Sequence, residues 1–258
     1  MPKVFAIAAH PDDIEFVMSG TLMLLANAGC EIHYMNVANG SCGTAEHDTE
    51  TIVAMRLQEA KNAATFIGAT FYPPIASDLN IFYNENLLSK VASIIRQVAP
   101  DILFVPSPQD YMEDHTNTCR LAVTGAFARG MRNFKVTPDR ATIENEVAIY
   151  HAQPHGNRDG LNQLVRPQIF IDITEVIAAK RNMLAEHKSQ KKWLDRSQGF
   201  NAYLDIMEQQ GREVGQLSGK YKYAEGWRQH SHFGFSRAEY NPLADLLKKY
   251  YYTLERNE

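Results

Sequence analysis

Residues 4–15 read Val-Phe-Ala-Ile-Ala-Ala-His-Pro-Asp-Asp-Ile-Glu (VFAIAAHPDDIE), an apolar run that ends in one histidine and three carboxylates. The first six residues predict a short, fully buried strand. The corner that follows lacks the glycines with which dinucleotide-binding folds cradle a phosphate. It concentrates negative charge instead, and buried charges are paired or coordinate metals. A positive group is therefore expected at this corner.

Strands and helices alternate through the first 135 residues. Further strand-like runs lie at 31–38, 69–74 and 101–106, and the helical segments between them close at residues such as Gly29 and Gly68. This alternation predicts an α/β, Rossmann-like, mainly parallel sheet flanked by helices. Residues 136–258 are expected to add strands and helices to the same body, so that 1–258 form a single domain with residues 1–135 as its core.

Composition restricts the class of partner. The formal net charge is -4, with 26 basic and 30 acidic residues and no basic block, which argues against nucleic acid. The three cysteines form no Cys-x-x-Cys pair and favour a reducing compartment. No apolar run reaches the ~20 residues of a membrane span, and the first residues lack the long apolar core of a signal peptide. We expect a cytoplasmic protein that acts on a small molecule; whether it forms a homo-oligomer is left open.

Two polar loops are expected to meet at one crevice. Ligands of such sheets bind outside the carboxyl ends of the strands, where the strand order reverses, and in the common order strands 1 and 4 flank that point. Strand 1 ends in HPDDIE (residues 10–15) and strand 4 in PSPQDYMEDHTNT (residues 106–118). A helix is predicted to follow from about Asn117 to Met131. Histidine and aspartate from both loops should therefore converge.

The residue types at this crevice suit a metal ion. His10 and Asp13 can share an ion if the loop turns, and Pro11 stiffens that turn. A third ligand from Asp114 or His115 completes three protein ligands plus water, the open arrangement of catalytic zinc. Zinc is favoured, whereas iron, cobalt, manganese and nickel stay open.

A simpler structural explanation exists for each half of this site. Asp12 or Asp13 could cap the next helix, because aspartate after a strand is a common N-cap. A single Asp-His pair at residues 114–115 is, on its own, more typical of a cap or a surface histidine. The expected convergence of the two loops favours the metal.

Five ordered motifs resemble those of the PIG-L/LmbE-like N-deacetylases. AHPDDIE matches the first metal motif of that family and DHTNT the second. The other three matches are RLQEAKNAATFIG (56–68), FIDITEVIAAKRNMLAEHKSQ (170–190) and YAEGW (223–227). The resemblance implies a zinc-dependent enzyme that removes an acetyl group from an N-acetylglucosamine-type or related N-acylated substrate.

The same resemblance implies residue roles. His10, Asp13 and His115 would bind zinc, and Asp12 would be the general base on a zinc-bound water. Such an ion can lower the pKa of its water from 15.7 to about 7. Asp12 would then take a proton as the water attacks the amide carbonyl.

One departure from the family bears on the chemistry. Many members carry a second histidine three residues before the last ligand, where this chain has Met112. Methionine sulfur offers no proton to an oxyanion. A replacement donor is expected among four residues that could reach the crevice: Tyr111, His155, His230 and His232.

Further residues have competing interpretations. Arg56 is interpreted as a substrate contact, against a solvated pair with Glu59 three residues on. Asp78 could bind sugar hydroxyls or serve a turn. His187 is expected to be buried and structural, and Glu15 to brace the loop.

Two further readings of function stay open. The first is a different single-metal hydrolase that acts on esters or other amides. The second is a metal-binding protein in which deacetylase activity is altered or lost because of Met112.

Overall fold

The computed structural model describes residues 1–192 and 202–254. Within these ranges an eight-stranded sheet carries helices on both faces. The strands are β1 Lys3–Ala8, β2 Glu31–Asn36, β3 Thr70–Tyr72, β4 Ile102–Val105, β5 Ala148–Ala152, β6 Ile169–Asp172, β7 Ala224–Gln229 and β8 Tyr251–Thr253. The α-helices are α1 Asp13–Val17, α2 Ser19–Asn27, α3 Thr49–Phe66, α4 Glu85–Val98, α5 Glu113–Phe127, α6 Ile177–Leu184, α7 Ala202–Ser218 and α8 Pro242–Leu246. Short 3-10 turns lie at Ala128–Gly130 and His155–Asn157.

Strand β1 is buried on both sides. Val4 and Ala6 enter one apolar cluster, whereas Phe5 and Ile7 enter a second cluster together with residues of α4 and α5. The sequence of a strand that is covered on both faces is a continuous apolar run, in which apolar and polar residues do not alternate. This explains why residues 4–9 carry no polar side chain.

The sheet has the order β3-β2-β1-β4-β5-β7-β6-β8. β1 pairs in parallel with β2 and β4, and Val4 lies opposite Ile102. β5 continues the parallel part, and β7, β6 and β8 add antiparallel pairs. The predicted fold class, a mainly parallel Rossmann-like sheet with additional C-terminal strands and helices, is confirmed. The strand order reverses between β1 and β4, so the carboxyl ends of these strands lie side by side.

The C-terminal ends of α2 and α3 follow local sequence signals, whereas the start of α5 does not. α2 and α3 end at the expected glycines, which take the positive φ of 87° at Gly29 and 66° at Gly68. α5 begins at Glu113 rather than near Asn117. The Asp-His pair at 114–115 therefore lies in the first helical turn and not in the loop.

Strand β7 was not expected from its sequence, AEGWRQ. Its Glu225 is buried, pairs with Lys180, and accepts the N–H groups of Gly20 and Thr21 at 2.8 and 2.7 Å. These N–H groups belong to the first turn of α2, whose N-cap side chain makes no hydrogen bond. Tertiary partners thus allow a charged residue inside a strand that its local sequence does not favour.

None of the helices in residues 1–192 and 202–254 combines the length and the apolar character that a bilayer crossing requires.

Candidate active site

The turn after β1 is tightly built. The backbone N–H of His10 donates to Asp13 Oδ2 at 2.8 Å, and the carbonyl of His10 accepts from Asn36 Nδ2 at 2.6 Å. Asp12 has the left-handed φ of 107°, a strained conformation for a residue with a Cβ. Asp12 stands at the N-cap position of α1, but its side chain makes no capping hydrogen bond. The helix-cap explanation of Asp12 is therefore wrong.

Three donor groups come together at the carboxyl ends of β1 and β4. His10, Asp13 and His115 are buried, and one ligand atom from each lies within 4.8 Å of the others. Asp13 Oδ2 is 3.6 Å from His10 Nδ1 and 3.5 Å from His115 Nε2. Two imidazoles and one carboxylate form a donor set that fits zinc and related divalent transition metals.

The far nitrogen of each imidazole is held by a carboxylate. Asp114 Oδ2 lies 2.9 Å from His10 Nε2, and Asp110 Oδ1 lies 2.9 Å from His115 Nδ1. Such partners fix the ring orientation and leave the other nitrogen free for a metal. Asp114 also accepts the N–H of Leu79 at 2.7 Å, which ties a neighbouring loop to His10.

The charge balance of this cluster also favours a cation. Burial alone would raise the pKa of Asp13, but His115, His10 and His155 hold it well below its ordinary range. Burial opposes a charge on His10, yet hydrogen bonds to Asp114 and Asp13 raise its pKa to about 10. A proton on His10 thus supplies part of the positive charge that the carboxylates demand. A divalent ion bound by the same residues would take over this role.

Asp12 lies beside the donor cluster and faces other partners. Tyr203 donates its hydroxyl to Asp12 Oδ2 at 2.8 Å, and Arg56 Nη2 is 3.5 Å from Asp12 Oδ1. Burial raises the pKa of Asp12; the charge of Arg56 opposes that shift and the charge of Asp13 adds to it. A carboxylate with a raised pKa next to a metal-type cluster suits proton transfer.

Arg56 is almost fully buried, with 3% of its surface exposed. Its guanidinium also donates to the carbonyl of Pro11, and a Cβ on Gly40 or Gly43 would collide with it. Glu59 instead accepts from the N–H and hydroxyl of Ser189. The alternative of a solvated Arg56–Glu59 pair is therefore wrong, whereas direct substrate contact by Arg56 stays a prediction.

The donor cluster opens into a cleft of about 560 Å³. His155 lines this cleft, with Nε2 3.2 Å from Asp13 Oδ1 and its ring centroid 5.5 Å from that of His115. Tyr111 stands at the mouth with 61% of its surface exposed. Met112 also lines the cleft. Two of the four expected replacement donors, His155 and Tyr111, thus reach the predicted crevice.

The other two candidates do not reach it. His230 is bonded to the buried His151 of β5, with His151 Nε2 2.9 Å from His230 Nδ1. His230 and His232 line a separate cleft with residues of β6 and β8. β7 pairs antiparallel with β5, from Trp227 opposite Ala152 to Gln229 opposite Tyr150. It therefore runs away from the carboxyl ends of the parallel strands and carries His230 away from the donor cluster. Their expected contact with the crevice is corrected accordingly.

Asp78 lines the cleft, but its carboxylate is engaged by backbone. One oxygen accepts the N–H of Gly40 at 2.7 Å and the other that of Cys42 at 2.9 Å. This is the turn-supporting role that was the alternative to sugar binding. A contact with sugar hydroxyls stays a prediction.

Buried polar residues behind the site account for the motifs at 170–190 and 223–227. Glu15 is fully buried, accepts from Tyr34 at 3.2 Å and lies 3.4 Å from His187 Nε2. The buried pair of Lys180 and Glu225 joins the 170–190 motif to the YAEGW motif. These polar residues hold α1, α2 and β7 in place beneath the site.

Two residues of the site are not indicated by the sequence motifs. Asp110 lies in the loop before α5, and its only sequence signal is its position five residues before His115. Tyr203 lies in α7, far along the chain, and no motif marks it.

Comparison with known proteins agrees with this geometry. Residues 5–126 match the model of the PIG-L family, described as GlcNAc-PI de-N-acetylase. This match covers a little under half of the chain, and it agrees with the family that the sequence motifs resemble.

Individual relatives add detail. The diacetylchitobiose deacetylase of Thermococcus kodakarensis is 27% identical over 233 residues, which cover 88% of this chain and 82% of that protein. The structure of N,N'-diacetylchitobiose deacetylase from Pyrococcus horikoshii is similar with a TM-score of 0.74 at 23% identity, covering 93% of this chain and 88% of that one. The 4-carboxy-2-hydroxymuconate hydratase of Pseudomonas putida KT2440 has a TM-score of 0.71 at 22% identity, covering 89% and 96%. The same fold therefore serves a deacetylase and a hydratase.

Proposed function

We propose that this protein is a metal-dependent N-deacetylase of N-acetylglucosamine-type or related N-acylated substrates. The observation that carries the proposal is the placement of Asp12 next to the His10–Asp13–His115 donor cluster in one cleft. The family and the named deacetylases among the relatives support the same reaction.

His10, Asp13 and His115 would hold the ion, which we propose to be zinc. When bound, it supplies Lewis-acid polarisation of a carbonyl and lowers the pKa of a water molecule. The residues present fit this role because each histidine keeps one nitrogen for the cluster and bonds a carboxylate through the other.

Asp12 performs the proton transfers. Its carboxylate accepts a proton from the water that attacks the amide carbon. Tyr203 and Arg56 hold the two oxygens of this carboxylate, so it stays aimed into the cleft. As the C–N bond breaks, Asp12 returns the proton to the leaving nitrogen. Acetate and a free amine result.

His155 is proposed as the donor that replaces the family's second histidine. Met112 lines the cleft but carries no N–H, whereas His155 has a ring N–H to offer a developing oxyanion. It comes from the turn after β5, a different segment from the family's donor.

The test compares metal-stripped protein with protein reconstituted with zinc, on a panel of N-acetyl sugars. Release of primary amine and acetate in equal amounts, dependent on metal, is the expected result. Stoichiometric zinc without amine release from any of these substrates would contradict the proposal.

That contradicting outcome would favour the alternative in which Met112 marks altered chemistry. Ester hydrolysis, or hydration of an unsaturated acid such as that of the hydratase relative, would then be assayed on the same loaded protein.

A further inference from the structure

The mouth of the cleft is apolar, although its floor is charged. Leu79, Tyr111 and Ile206 line the cleft and leave 62%, 61% and 39% of their surfaces exposed. Met112 lines the same cleft. These side chains come from the loop after β3, the loop before α5, and α7, so three separate segments direct apolar groups at one opening.

Leu79, at the mouth of the cleft, has an energetically unfavourable backbone conformation. Its φ is 61°, a backbone region that glycine and asparagine adopt readily and leucine rarely. This backbone conformation is stabilised because the Leu79 N–H donates a hydrogen bond to Asp114, which also contacts His10. The conformation thus projects a large apolar side chain at the cleft while its backbone supports the donor cluster.

Positive charge is scarce at the opening. Among the described residues that line the cleft, Arg56 is the only lysine or arginine, and it is buried against Asp12 and the Pro11 carbonyl. Asp78, the remaining acidic lining residue beyond Asp12 and Asp13, is bonded to backbone. The histidines of the lining lie at the donor cluster. A carboxylate or phosphate of the substrate placed beside Leu79 and Ile206 would therefore find no lysine or arginine among the described lining residues other than the buried Arg56.

We propose that Leu79, Tyr111 and Ile206 form a subsite for an uncharged, apolar aglycone, such as an aryl group, attached to the N-acetylated sugar. The proposal rests on the deacetylase function proposed above and specifies its substrate class. The sugar's N-acetyl group reaches the donor cluster, and the aglycone packs between Leu79 and Ile206 against the Tyr111 ring.

The experiment uses three N-acetyl-β-glucosaminides with the zinc-loaded protein: methyl, phenyl and 4-carboxyphenyl. Removal of the phenyl group from water predicts a kcat/KM about tenfold above that of the methyl glycoside. The 4-carboxyphenyl glycoside is expected to lose that advantage. Equal kcat/KM for methyl and phenyl, or a preference for 4-carboxyphenyl, would overturn the subsite.

Two variants locate the effect. Leu79→Asn keeps a residue that tolerates the positive φ and removes the apolar contact, and Ile206→Ala removes the contact from α7. Both should lower the ratio of phenyl to methyl kcat/KM. Leu161→Asn is the matched control, because Leu161 is an exposed leucine that does not line the cleft. An unchanged ratio in both test variants would assign the preference elsewhere and contradict the proposal.

Binding separates this proposal from the proposed reaction. Calorimetric titration of zinc-loaded Asp12→Asn protein measures the dissociation constants of the same glycosides without turnover. Tighter binding of phenyl than methyl, weakened by Leu79→Asn, supports the subsite even if no substrate is deacetylated. Equal dissociation constants would reject the subsite while leaving deacetylation intact.

Discussion

Tyr203 donates its hydroxyl to Asp12 across 2.8 Å, and the two residues are separated by 191 positions in the chain. Tyr203 is buried to 1% exposure, and Asp12 occupies a strained turn at the end of β1. Helix α7 of the C-terminal half thus reaches back to hold the carboxylate that the N-terminal motif supplies.

Replacing Tyr203 by phenylalanine removes this hydrogen bond and keeps the ring packing. We expect kcat to fall about tenfold, as for a hydrogen bond to a charged group, with KM and zinc content little changed. Steady-state kinetics with metal analysis make the measurement. Tyr83→Phe, at an exposed tyrosine outside the cleft lining, is the control. An unaltered kcat in Tyr203→Phe would show that Asp12 needs no such anchor.

Asp114→Asn weakens the support of His10. The loss of the carboxylate that orients the ring should reduce zinc affinity by about 10- to 100-fold. Competition with a chelator of known affinity measures this, and Glu113→Gln, at the exposed neighbouring position, is the control. If both variants bind zinc as tightly as the wild type, the orienting role is refuted.

Lys180→Met leaves Glu225 buried without its ion-pair partner. Removal of one member of a buried pair costs about 3 to 5 kcal/mol in free energy of unfolding. Urea denaturation should therefore show a lower midpoint. Lys249→Met, at an exposed pair with Glu175, should change stability far less. A midpoint shift in Lys180→Met as small as that of the control would contradict this reading.

His151 makes stability sensitive to acid. Burial first, and then neighbouring His230, lower the pKa of His151 from 6.5 to about 3. The unfolded chain therefore binds this proton more readily than the folded one, and stability is lost as pH falls below 6.5. Between pH 6 and pH 5, the free energy of unfolding of His151→Gln should fall by about 1.2 kcal/mol less than that of the wild type. His47→Gln, at an exposed histidine, should follow the wild type, and parallel pH curves for wild type and His151→Gln would refute the assignment.

The sequence predicted those parts of the site that depend on local pattern and sheet topology. The apolar run before His10 indicated a buried strand, and alternating strands and helices placed β1 beside β4, so the two halves of the donor cluster could be paired in advance. The spacing of His10 and Asp13 implied a turn, which the structure contains.

What the sequence did not predict depends on long-range contacts. Strand β7 contains the charged residues Glu225 and Arg228, which do not favour a buried strand. Partners from distant segments, such as Lys180 for Glu225, stabilise the strand. Tyr203 lies on α7, and the sequence pattern of this helix does not indicate which residue the tyrosine hydroxyl contacts. The prediction for His230 and His232 assumed that the histidine-rich stretch containing them folds over the crevice, but antiparallel pairing of β7 with β5 directs both residues to another cleft. A cytoplasmic location remains a prediction from composition.

The central claim is that Asp12 transfers protons beside an ion held by His10, Asp13 and His115. The most direct measurement compares amine release from an N-acetylglucosaminide by zinc-loaded wild type and zinc-loaded Asp12→Asn, with metal content determined for both. The account predicts equal zinc and a loss of amine release by at least about 100-fold in the variant. Equal zinc with a rate near that of the wild type would contradict it.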